Sequence, residues 1–392
     1  MLSIILKIHM NNQSISKEIL YWYDNNKRIL PWRKHLSNKQ KEYFILVSEI
    51  MLQQTQVKTV IPYFNNFIKK IPNLKALSKI NDKKLMKCWE GLGYYSRARN
   101  LHKAAQVLVD SYHAVMPSDF EELQCLPGIG FYTAAAISSI AFEKPVPVVD
   151  GNVLRVFTRF WGIYDDIRHN QVKTMLFHKL ESYIKEAKPS DFNQAIMECG
   201  ALICQPQSPS CMVCPLQQDC FAYANHKQAE LPVKSPAKTV PTLDVVVGVV
   251  IHDNQLLIAK RPDDKMLGGL WELPGGKIES KESPEQALQR ELKEEVNLDV
   301  CVGKKLVSVK HAYSHFKINL HAYECEIIRG IPVALSAIEI KWVFFDDLKQ
   351  YAFPKATIKI FDWIAVKKKY SFEMDSKEQI AINNVLERCY KK

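Results

Sequence analysis

Long apolar runs are the first feature that this sequence lacks. No stretch approaches the roughly 20 apolar residues that a bilayer-spanning helix needs. The N-terminal segment MLSIILKIHM is apolar but short, and it has no small-residue cleavage site of the kind that ends a secretory signal. These absences predict a cytoplasmic protein with no membrane partner. Translation starts at Met1 or at Met10, and residues 1–15 form an N-terminal extension.

The sequence also lacks internal repeats, low-complexity tracts and an export signal that would favour disulfides. Its ten cysteines therefore indicate reduced thiols. A chain of 392 residues exceeds a typical domain of roughly 100–200 residues, so two domains are expected, each with its own core. Lys and Arg total 53 against 42 Asp and Glu, a net charge of +11. This excess favours a polyanionic partner such as nucleic acid, although a generally basic surface would also produce it.

Two patterns of hydrophobic residues divide the chain. Over residues 16–223, apolar residues recur at spacings of three and four and strand-like alternation is scarce, which predicts an all-α domain. Prolines and glycines, Pro62 among them, are predicted to separate its helices. A connector rich in proline and lysine follows at residues 224–242.

The residues after the connector favour an α+β domain over 243–370. Alternating and β-branched runs predict strands, and a polar segment with helical periodicity predicts a helix. The strands are expected at 245–251, at 255–259 and twice within 305–326, and the helix at 284–296. Residues 371–392 form a C-terminal extension that is expected to be an added helix.

Four cysteines near the end of the helical region have the spacing C-x6-C-x2-C-x5-C. They are Cys204, Cys211, Cys214 and Cys220. Soft thiolate ligands suit zinc or an iron–sulfur cluster, and the spacing alone does not separate these metals. The other cysteines are scattered and are expected to be small packing residues. The pattern therefore predicts a metal centre with four thiolate ligands.

A glycine-containing turn and two carboxylates are the candidates for DNA binding and chemistry. Gly128 and Gly130 of the segment LPGIG permit a tight turn whose exposed N–H groups can approach an anion closely. Asp150 is placed to begin the next helix as its N-cap. Glu49 lies within an apolar helical stretch, where an unpaired carboxylate is costly to bury.

Glu49 and Asp150 are of the type that glycosidic-bond cleavage requires. Excision of a base from deoxyribose passes through an oxocarbenium-like state. One carboxyl group can protonate the leaving base while another stabilises the cation at C1′. We therefore interpret the two acids as a catalytic pair.

Five motifs occur in the order that is typical of adenine DNA glycosylases of the MutY family. They are SEIMLQQTQV, WEGLGYYSRARNLHKAA, LPGIGFYTAAAI, VDGNVLRV and the cysteine loop. Residues 16–223 thus resemble that family without a missing block, which implies a helix-hairpin-helix domain with one 4Fe-4S cluster at the loop 204–220.

The resemblance also implies a role for individual side chains. Glu49 would be the general acid that protonates adenine N7, and Asp150 would stabilise the sugar cation or bond to it transiently. Tyr132 and Asn152 would help to orient that centre, and Arg33 would line the pocket. Lyase-competent relatives carry a lysine where this chain has Tyr132, and a tyrosine cannot form their Schiff base. We therefore expect base removal with little or no strand cleavage.

Excision requires the base to leave the duplex stack, so further residues must support the distorted DNA. The resemblance implies that Gln54 and Tyr94 contact the neighbourhood of the lesion. For Tyr94, ordinary core packing is the alternative. Arg97, Arg99 and Lys103 are expected to contact phosphates.

Residues 276–298 resemble the Nudix box, with Asn297 in place of its usual late glycine. Glu291, Glu294 and Glu295 stand at i, i+3 and i+4 of a helix. Their carboxylates would share one face, as a magnesium site for pyrophosphate needs, although a solvated acidic face is the alternative.

A MutT-like second domain is also typical of the MutY family, and it implies recognition of 8-oxoguanine. In the segment HAYSH, Ser314 and His315 would lie at the oxidised base, and Tyr313 replaces the more usual phenylalanine.

The resemblance therefore implies a monomeric, monofunctional glycosylase that acts on double-stranded DNA near the nucleoid. It would remove adenine opposite 8-oxoguanine or guanine during base excision repair. For the second domain, lesion recognition alone is preferred over additional magnesium-dependent hydrolysis of oxidised nucleoside triphosphates. Three other classes stay open: a thymine-damage lyase glycosylase, a nucleotide pyrophosphohydrolase with a DNA-binding appendage, and a non-catalytic DNA-binding iron–sulfur protein.

Overall fold

The structure, a computed structural model, describes residues 12–34, 37–236, 240–313 and 316–371. The chain divides into two compact units, Met1–Ile80 with Arg99–Ala237 and Asn81–Ala98 with Lys238–Lys392. The second unit therefore includes a short piece from the helical half of the sequence. The domain limits expected from the sequence, at 16–223, 224–242 and 243–370, stay a prediction, and the helix expected over 371–392 falls outside the described residues beyond Ser371.

The N-terminal half is helical, so the predicted all-α pattern is confirmed. Its α-helices are α1 (Asn12–Asn26), α2 (Asn38–Leu52), α3 (Val57–Lys70), α4 (Leu74–Ser78), α5 (Asp82–Trp89), α6 (Ser96–Asp110), α7 (Phe120–Gln124), α8 (Phe131–Phe142), α9 (Gly151–Trp161), α10 (Asn170–Lys185), α11 (Pro189–Leu202) and α12 (Phe221–Ala224). Short 3-10 turns lie at Pro31–Arg33 and Cys211–Val213.

The expectation that Pro62 separates two helices is wrong. Pro62 lies inside α3, which continues to Lys70. Proline removes one backbone hydrogen bond from a helix and crowds the preceding turn. Here α3 persists because one of its faces is buried, with Val60, Phe64 and Phe67 at most 1% exposed. Tertiary packing thus outweighs the local cost of proline.

Helix α11 lies at the centre of the first unit and packs against α1, α8 and α9. Its buried face includes Phe192, Ala195 and Ile196, which join a core with Phe157 of α9 and Ile19 of α1. Helix α2 also packs on α8. These contacts bring the first turns of α8 and α9 close to α2 and α11, where the candidate acids lie.

The connector runs along the first unit over residues 231–236. Arg159 Nε donates to the carbonyl of Leu231 at 2.8 Å, and the amide of Ile167 donates to Val233 at 3.1 Å. Asp166 accepts from the amide of Ser235 at 2.9 Å. This part of the proline-rich connector is therefore fixed by hydrogen bonds to α9 and to the segment after it.

A seven-stranded mixed sheet forms the second unit. Its strands are β1 (Thr242–His252), β2 (Gln255–Lys260), β3 (Trp271–Glu272), β4 (Gly275–Lys277), β5 (Asp299–Ala312), β6 (Lys317–Arg329) and β7 (Glu339–Phe344). The order is β3-β2-β1-β6-β5, with β4 on β1 and β7 on β2. Strands β1 and β6 are parallel, with Val246 opposite His321, and the other pairings are antiparallel.

One helix covers each face of this sheet. Successive strand residues point to opposite faces, so Val246 and Val250 pack with α13 (Pro284–Val296), while Val247 and Val249 pack with α14 (Lys355–Ser371). The predicted strands and the helix over 284–296 are confirmed, and the α+β class with them. The sequence reading missed α14.

No helix within the described part of the chain is both long enough and apolar enough to cross a lipid bilayer.

Candidate active site

Glu49 lies in the last turn of α2 and is 4% exposed. Its Oε2 accepts a hydrogen bond from the phenol of Tyr132 at 3.1 Å. Burial raises the pKa of Glu49 to about 7; Asp150 also raises this pKa, while Tyr132 and the charge of Arg33 lower it. Near neutral pH a large fraction of Glu49 is therefore protonated and able to act as an acid.

Asp150 is the N-cap of α9, as the sequence predicted. Its Oδ1 accepts from the amide of Val153 at 2.7 Å, and its Oδ2 accepts from Asn152 Nδ2 at 3.0 Å. Burial raises the pKa of Asp150, and these hydrogen bonds oppose that rise. The positive end of the helix dipole also favours a carboxylate at this position. Asp150 and Glu49 thus occupy different environments, as a division into anion and acid requires.

Tyr132 occupies the first turn of α8 and donates its hydrogen bond to Glu49. Burial, together with the charges of Glu49 and Asp150, raises its pKa well above the usual tyrosine value, so its hydroxyl stays a neutral donor. The same oxygen lies 3.9 Å from Met197 Sδ of α11. At this position the chain has no amine with which to attack the sugar.

A cavity of about 570 Å³, here called the inner pocket, contains these groups. It is large enough for a base and its sugar. Among its lining residues are the predicted Arg33, Glu49, Tyr132, Asp150 and Asn152. The structure therefore brings five sequence-predicted residues from four separate segments into one pocket.

A second cavity of about 980 Å³, here called the outer cavity, shares Tyr132 and Asp150 with the inner pocket. Gln54, Gly130 and Lys173 also line it. Gln54 is exposed and has φ +56°. The predicted lesion-contact residue Gln54 and the hairpin glycine Gly130 thus lie at one opening, which leads toward the candidate acids.

The turn between α7 and α8 uses its two glycines differently. Gly128 has φ +76°, and a Cβ added there would lie 2.6 Å from Asn100 Cβ, so only glycine fits. Gly130 is the N-cap of α8 with φ −89°, and an added Cβ would meet nothing within 4 Å. Gly128 is therefore required by the fold, whereas Gly130 leaves open space beside the helix N-terminus.

Sequence reasoning missed an ion cluster on α11 that supports Arg33. Glu198, 1% exposed, accepts from Arg28 Nε at 2.6 Å and from Arg33 Nη2 at 3.1 Å, and Gln194 accepts from Arg33 Nε at 2.7 Å. Burial alone would raise the pKa of Glu198, but the two guanidinium groups lower it overall. Its signal in the sequence is the one that identified Glu49, an acid within an apolar helical stretch.

The four predicted cysteine ligands line one small cavity. Arg159 donates to Cys204 Sγ at 3.4 Å and to the carbonyls of Gln205 and Pro206. Such a donor stabilises a thiolate. Four thiols around one space match the ligand number of an iron–sulfur cluster or a structural zinc. In the described ranges, no three His, Cys, Asp or Glu side chains are arranged as ligands of one metal ion.

Arg155 joins the cysteine loop to the candidate acids. Its Nε donates to the carbonyl of Cys204 at 2.7 Å, and its Nη2 donates to Asn152 Oδ1 at 2.9 Å. Asn152 in turn donates to Asp150. A change in the cysteine loop can therefore reach Asp150 through two side chains.

The carboxylates of the Nudix-like helix α13 are engaged by protein groups. Arg290 Nη1 donates to Glu291 at 3.1 Å and to Glu294 at 3.3 Å, and Arg290 Nε donates to Glu282 at 2.7 Å. Glu295 Oε2 accepts from the amide of Gly275 at 2.8 Å. Each of these three carboxylates thus has a protein hydrogen-bond partner, and the magnesium site expected at Glu291, Glu294 and Glu295 stays a prediction.

The loop between β5 and β6 is closed by the amide of Tyr313, which donates to the carbonyl of Phe316 at 2.8 Å. The rings of Tyr313 and Phe316 stack with centroids 4.9 Å apart. Ser314 and His315, the predicted lesion contacts, lie outside the described residues. The predicted contact Tyr94 lies in the second unit, in a turn with φ +50°.

Two family models match this chain. Residues 47–200 match the HhH-GPD superfamily of base excision DNA repair proteins, and residues 246–363 match the NUDIX domain. The helical fold, the hairpin and the paired acids therefore belong to a helix-hairpin-helix enzyme of base excision DNA repair.

Curated relatives narrow that class. An adenine DNA glycosylase of Mus musculus is 34% identical over 88% of this chain and 76% of its own length. One from Buchnera aphidicola subsp. Schizaphis graminum is 36% identical over 78% and 85%, and one from Homo sapiens is 33% identical over 88% and 72%. The chain belongs to the adenine DNA glycosylase family. A solved thermostable thymine-DNA glycosylase is 28% identical, with a TM-score of 0.49 over 54% of this chain and 96% of its own.

Proposed function

We propose that this protein hydrolyses the N-glycosidic bond of adenine in duplex DNA where adenine is mispaired with 8-oxoguanine or guanine. The observation that carries this proposal is the inner pocket, in which a protonatable Glu49 and a hydrogen-bonded Asp150 flank the phenol of Tyr132. The adenine DNA glycosylase relatives support the choice of base. We also propose that it acts on genomic DNA in the cytoplasm, at the nucleoid.

The reaction begins with proton transfer from Glu49 to the bound adenine. The bond between the base and C1′ then breaks, and its electron pair leaves with the base. Asp150, held by the N-terminus of α9, faces the positive charge that develops on the sugar. Water adds to C1′, and its proton returns to the Glu49 carboxylate. Atoms and charges therefore balance without a covalent amine intermediate.

Tyr132 and Asn152 act on the geometry of this step. Tyr132 fixes one oxygen of Glu49, and Asn152 fixes one oxygen of Asp150. Each hydrogen bond restricts the rotation of the carboxyl group that accepts it. The two acids are thus preorganised for the reaction. Arg33, held by Glu198 and Gln194, lines the same pocket and is suited to orient the base.

The cysteines Cys204, Cys211, Cys214 and Cys220 are proposed to hold one 4Fe-4S cluster. Four thiolates leave no coordination position open for substrate, so the cluster would stabilise the loop rather than take part in excision. Arg155 would then link the ordered loop to Asn152, and Arg159 would link it to the connector, through their hydrogen bonds. Measurement of iron, sulfide and zinc in protein purified without oxygen tests this choice of metal, and a zinc-only result overturns it.

The second unit is proposed to recognise 8-oxoguanine, with Ser314 and His315 at the lesion. We favour recognition alone over additional hydrolysis of oxidised nucleoside triphosphates, because a Nudix box can be retained as scaffold without its hydrolase activity. Incubation of the full-length protein with 8-oxo-dGTP and magnesium is expected to release no pyrophosphate. Release that Glu294→Gln abolishes would establish the second activity.

A single-turnover assay tests the main proposal. Duplexes with adenine opposite 8-oxoguanine are expected to yield free adenine, with strand breaks only after alkali. Glu49→Gln is expected to abolish adenine release while DNA binding stays close to wild type, because the amide cannot supply the proton. A second duplex carries thymine opposite 8-oxoguanine. Release of thymine from it, or strand breaks before alkali, would instead identify a lyase glycosylase.

A further inference from the structure

A set of hydrogen bonds within the second unit joins the end of α5 to the residues before α14. Lys87 Nζ donates to the carbonyl of Tyr351 at 3.0 Å, and Glu90 Oε1 accepts from the amide of Phe353 at 3.1 Å. Lys87 and Glu90 also pair with each other at 2.5 Å. These two side chains and the two backbone groups are here called the clasp.

The clasp is partly withdrawn from water. The Glu90 side chain is 18% exposed, and Phe353 is 2% exposed. Hydrogen bonds to charged groups are stronger than neutral ones, and loss of the acceptor would leave the Phe353 amide unpaired in a buried site. Lys83 adds a further contact, since its Nζ lies 4.3 Å from the centre of the Tyr351 ring. The clasp is thus more than an exposed surface ion pair.

On one side the clasp continues directly into the turn that carries Tyr94. Trp89 Nε1 donates to the carbonyl of Gly93 at 3.1 Å, and the amide of Gly91 donates to Tyr95 Oη at 3.0 Å. Arg97 Nη2 donates to the same Gly93 carbonyl at 3.0 Å. A turn with this many internal bonds moves as one piece, so the position of Glu90 determines that of the Tyr94 backbone.

On the other side the clasp is joined to the sheet. The carbonyl of Ala352 accepts from the amide of Trp271 at 2.9 Å, and the rings of Trp271 and Tyr351 meet edge to face at 5.1 Å. Trp271 belongs to β3, and the same sheet includes β5 and β6, whose connecting loop contains Tyr313. The clasp therefore connects the turn of Tyr94, an expected lesion contact, with the sheet whose β5–β6 loop is the lesion contact of the proposed function.

We propose that Lys87 and Glu90 are positioning residues for lesion-dependent binding. They fix the Tyr94 turn to the sheet that includes β5 and β6, so that the turn and this sheet keep one relative position. The consequence for DNA rests on the proposed function. Neither residue lines the inner pocket, so neither takes part in the bond cleavage.

The kinetic test uses the full-length protein and single-turnover rates over a range of enzyme concentrations. Two duplexes are compared, with adenine opposite 8-oxoguanine and adenine opposite guanine. For the 8-oxoguanine duplex, Lys87→Met and Glu90→Ala are each expected to increase the half-saturating enzyme concentration by a factor between about 2 and about 30. The maximal rate should stay at the wild-type value, and the guanine duplex should change little.

Lys188→Met is the matched control, because Lys188 and Asp191 form an i,i+3 pair at 2.8 Å that belongs to the first unit. This variant is expected to match the wild type with both duplexes. Equal losses with both duplexes for the clasp variants, or no loss with either, would overturn the positioning role.

Hydrogen exchange tests the clasp separately from the proposed function. In the protein without DNA, Glu90→Ala is expected to speed exchange at the Phe353 amide and in the 90–95 turn, while Glu90→Gln, which keeps an acceptor oxygen, retains most of the protection. Unchanged exchange in Glu90→Ala overturns the clasp whatever the enzyme excises. Failure of the wild type to release adenine from either duplex overturns the proposed function and the lesion-dependent role with it, while the exchange result still decides whether the clasp exists.

Discussion

The phenol of Tyr132 donates to Oε2 of Glu49 across 3.1 Å, and the two residues are 83 positions apart in the sequence. Burial raises the pKa of the Glu49 carboxyl group, and this hydrogen bond lowers it in part, which leaves the pKa at about 7. One neighbouring hydroxyl thus tunes the acid that the proposed reaction depends on.

The excision rate is expected to fall as the pH rises above about 7. The protonated form of Glu49 is the active one, and its pKa is about 7, so the protonated fraction is lost on the alkaline side. One unit above this pKa, the rate should be lower by about tenfold. Single-turnover rates between pH 6 and pH 9, at saturating enzyme concentration, measure this limb. A rate that does not change with pH over that range contradicts the assignment.

Tyr132→Phe is expected to move the alkaline decline of the excision rate to higher pH. The hydrogen bond from Tyr132 lowers the pKa of Glu49, so its removal raises this pKa. The maximal rate should also fall, because the Glu49 carboxyl loses its orientation. The pH dependence of Tyr132→Phe against the wild type is the measurement, and a limb displaced to lower pH would refute the explanation.

The wild-type protein is expected to give no borohydride-trapped adduct with DNA, since position 132 offers no amine. Tyr132→Lys places an amine at the shared wall of the two cavities. This variant serves as the positive control, and trapping on denaturing gels is the readout. Trapping by the wild type, abolished when a particular lysine is changed, would show that the protein is bifunctional.

Gly128→Ala is expected to impair stability, and Gly130→Ala is expected to impair DNA binding. Gly128 has positive φ and no room for Cβ, so alanine there should destabilise the protein by about 1–3 kcal/mol. Gly130 has ordinary φ and open space, so alanine should leave the free energy of unfolding within about 0.5 kcal/mol of wild type while weakening DNA binding. Urea unfolding and duplex titration separate the two effects. Equal losses of stability would contradict this distinction.

Glu198→Ala is expected to destabilise the first unit by about 3 kcal/mol or more, because it leaves Arg28 and Arg33 without their buried anion. Adenine release should fall as well, since Arg33 lines the inner pocket. The control is Glu181→Ala on α10, whose His178 partner is exposed, and it should change stability by less than about 0.5 kcal/mol. Chemical denaturation gives both values, and similar losses in both variants would remove the special role of Glu198.

Local sequence signals identified the residues whose role depends on their own element. Asp150 follows a proline-rich break and precedes a helical run, so its capping role could be predicted from neighbours alone. The cysteine spacing and the hairpin glycines are equally local. Glu49 could be identified because an acid among apolar helix residues is costly to bury, and the structure supplies its partner, Tyr132.

The same local reasoning failed where distant packing decides. Pro62 stays inside α3 because the buried face of that helix compensates for the lost hydrogen bond. This outcome is not encoded in the spacing of residues along one helix. The magnesium site at Glu291, Glu294 and Glu295 stays a prediction.

By itself, the sequence determined the class of each half, the positions of four strands and of the helix over 284–296, the four thiols and the two acids, because periodicity and capping depend on residues a few positions apart. Only the tertiary structure decided that Glu198 holds Arg33 at the inner pocket, that Arg155 connects Cys204 with Asn152, and that Glu90 meets Phe353. These pairs form when separate segments pack together. Their hydrogen bonds follow from the packing of a whole unit, and no local pattern along the chain encodes them.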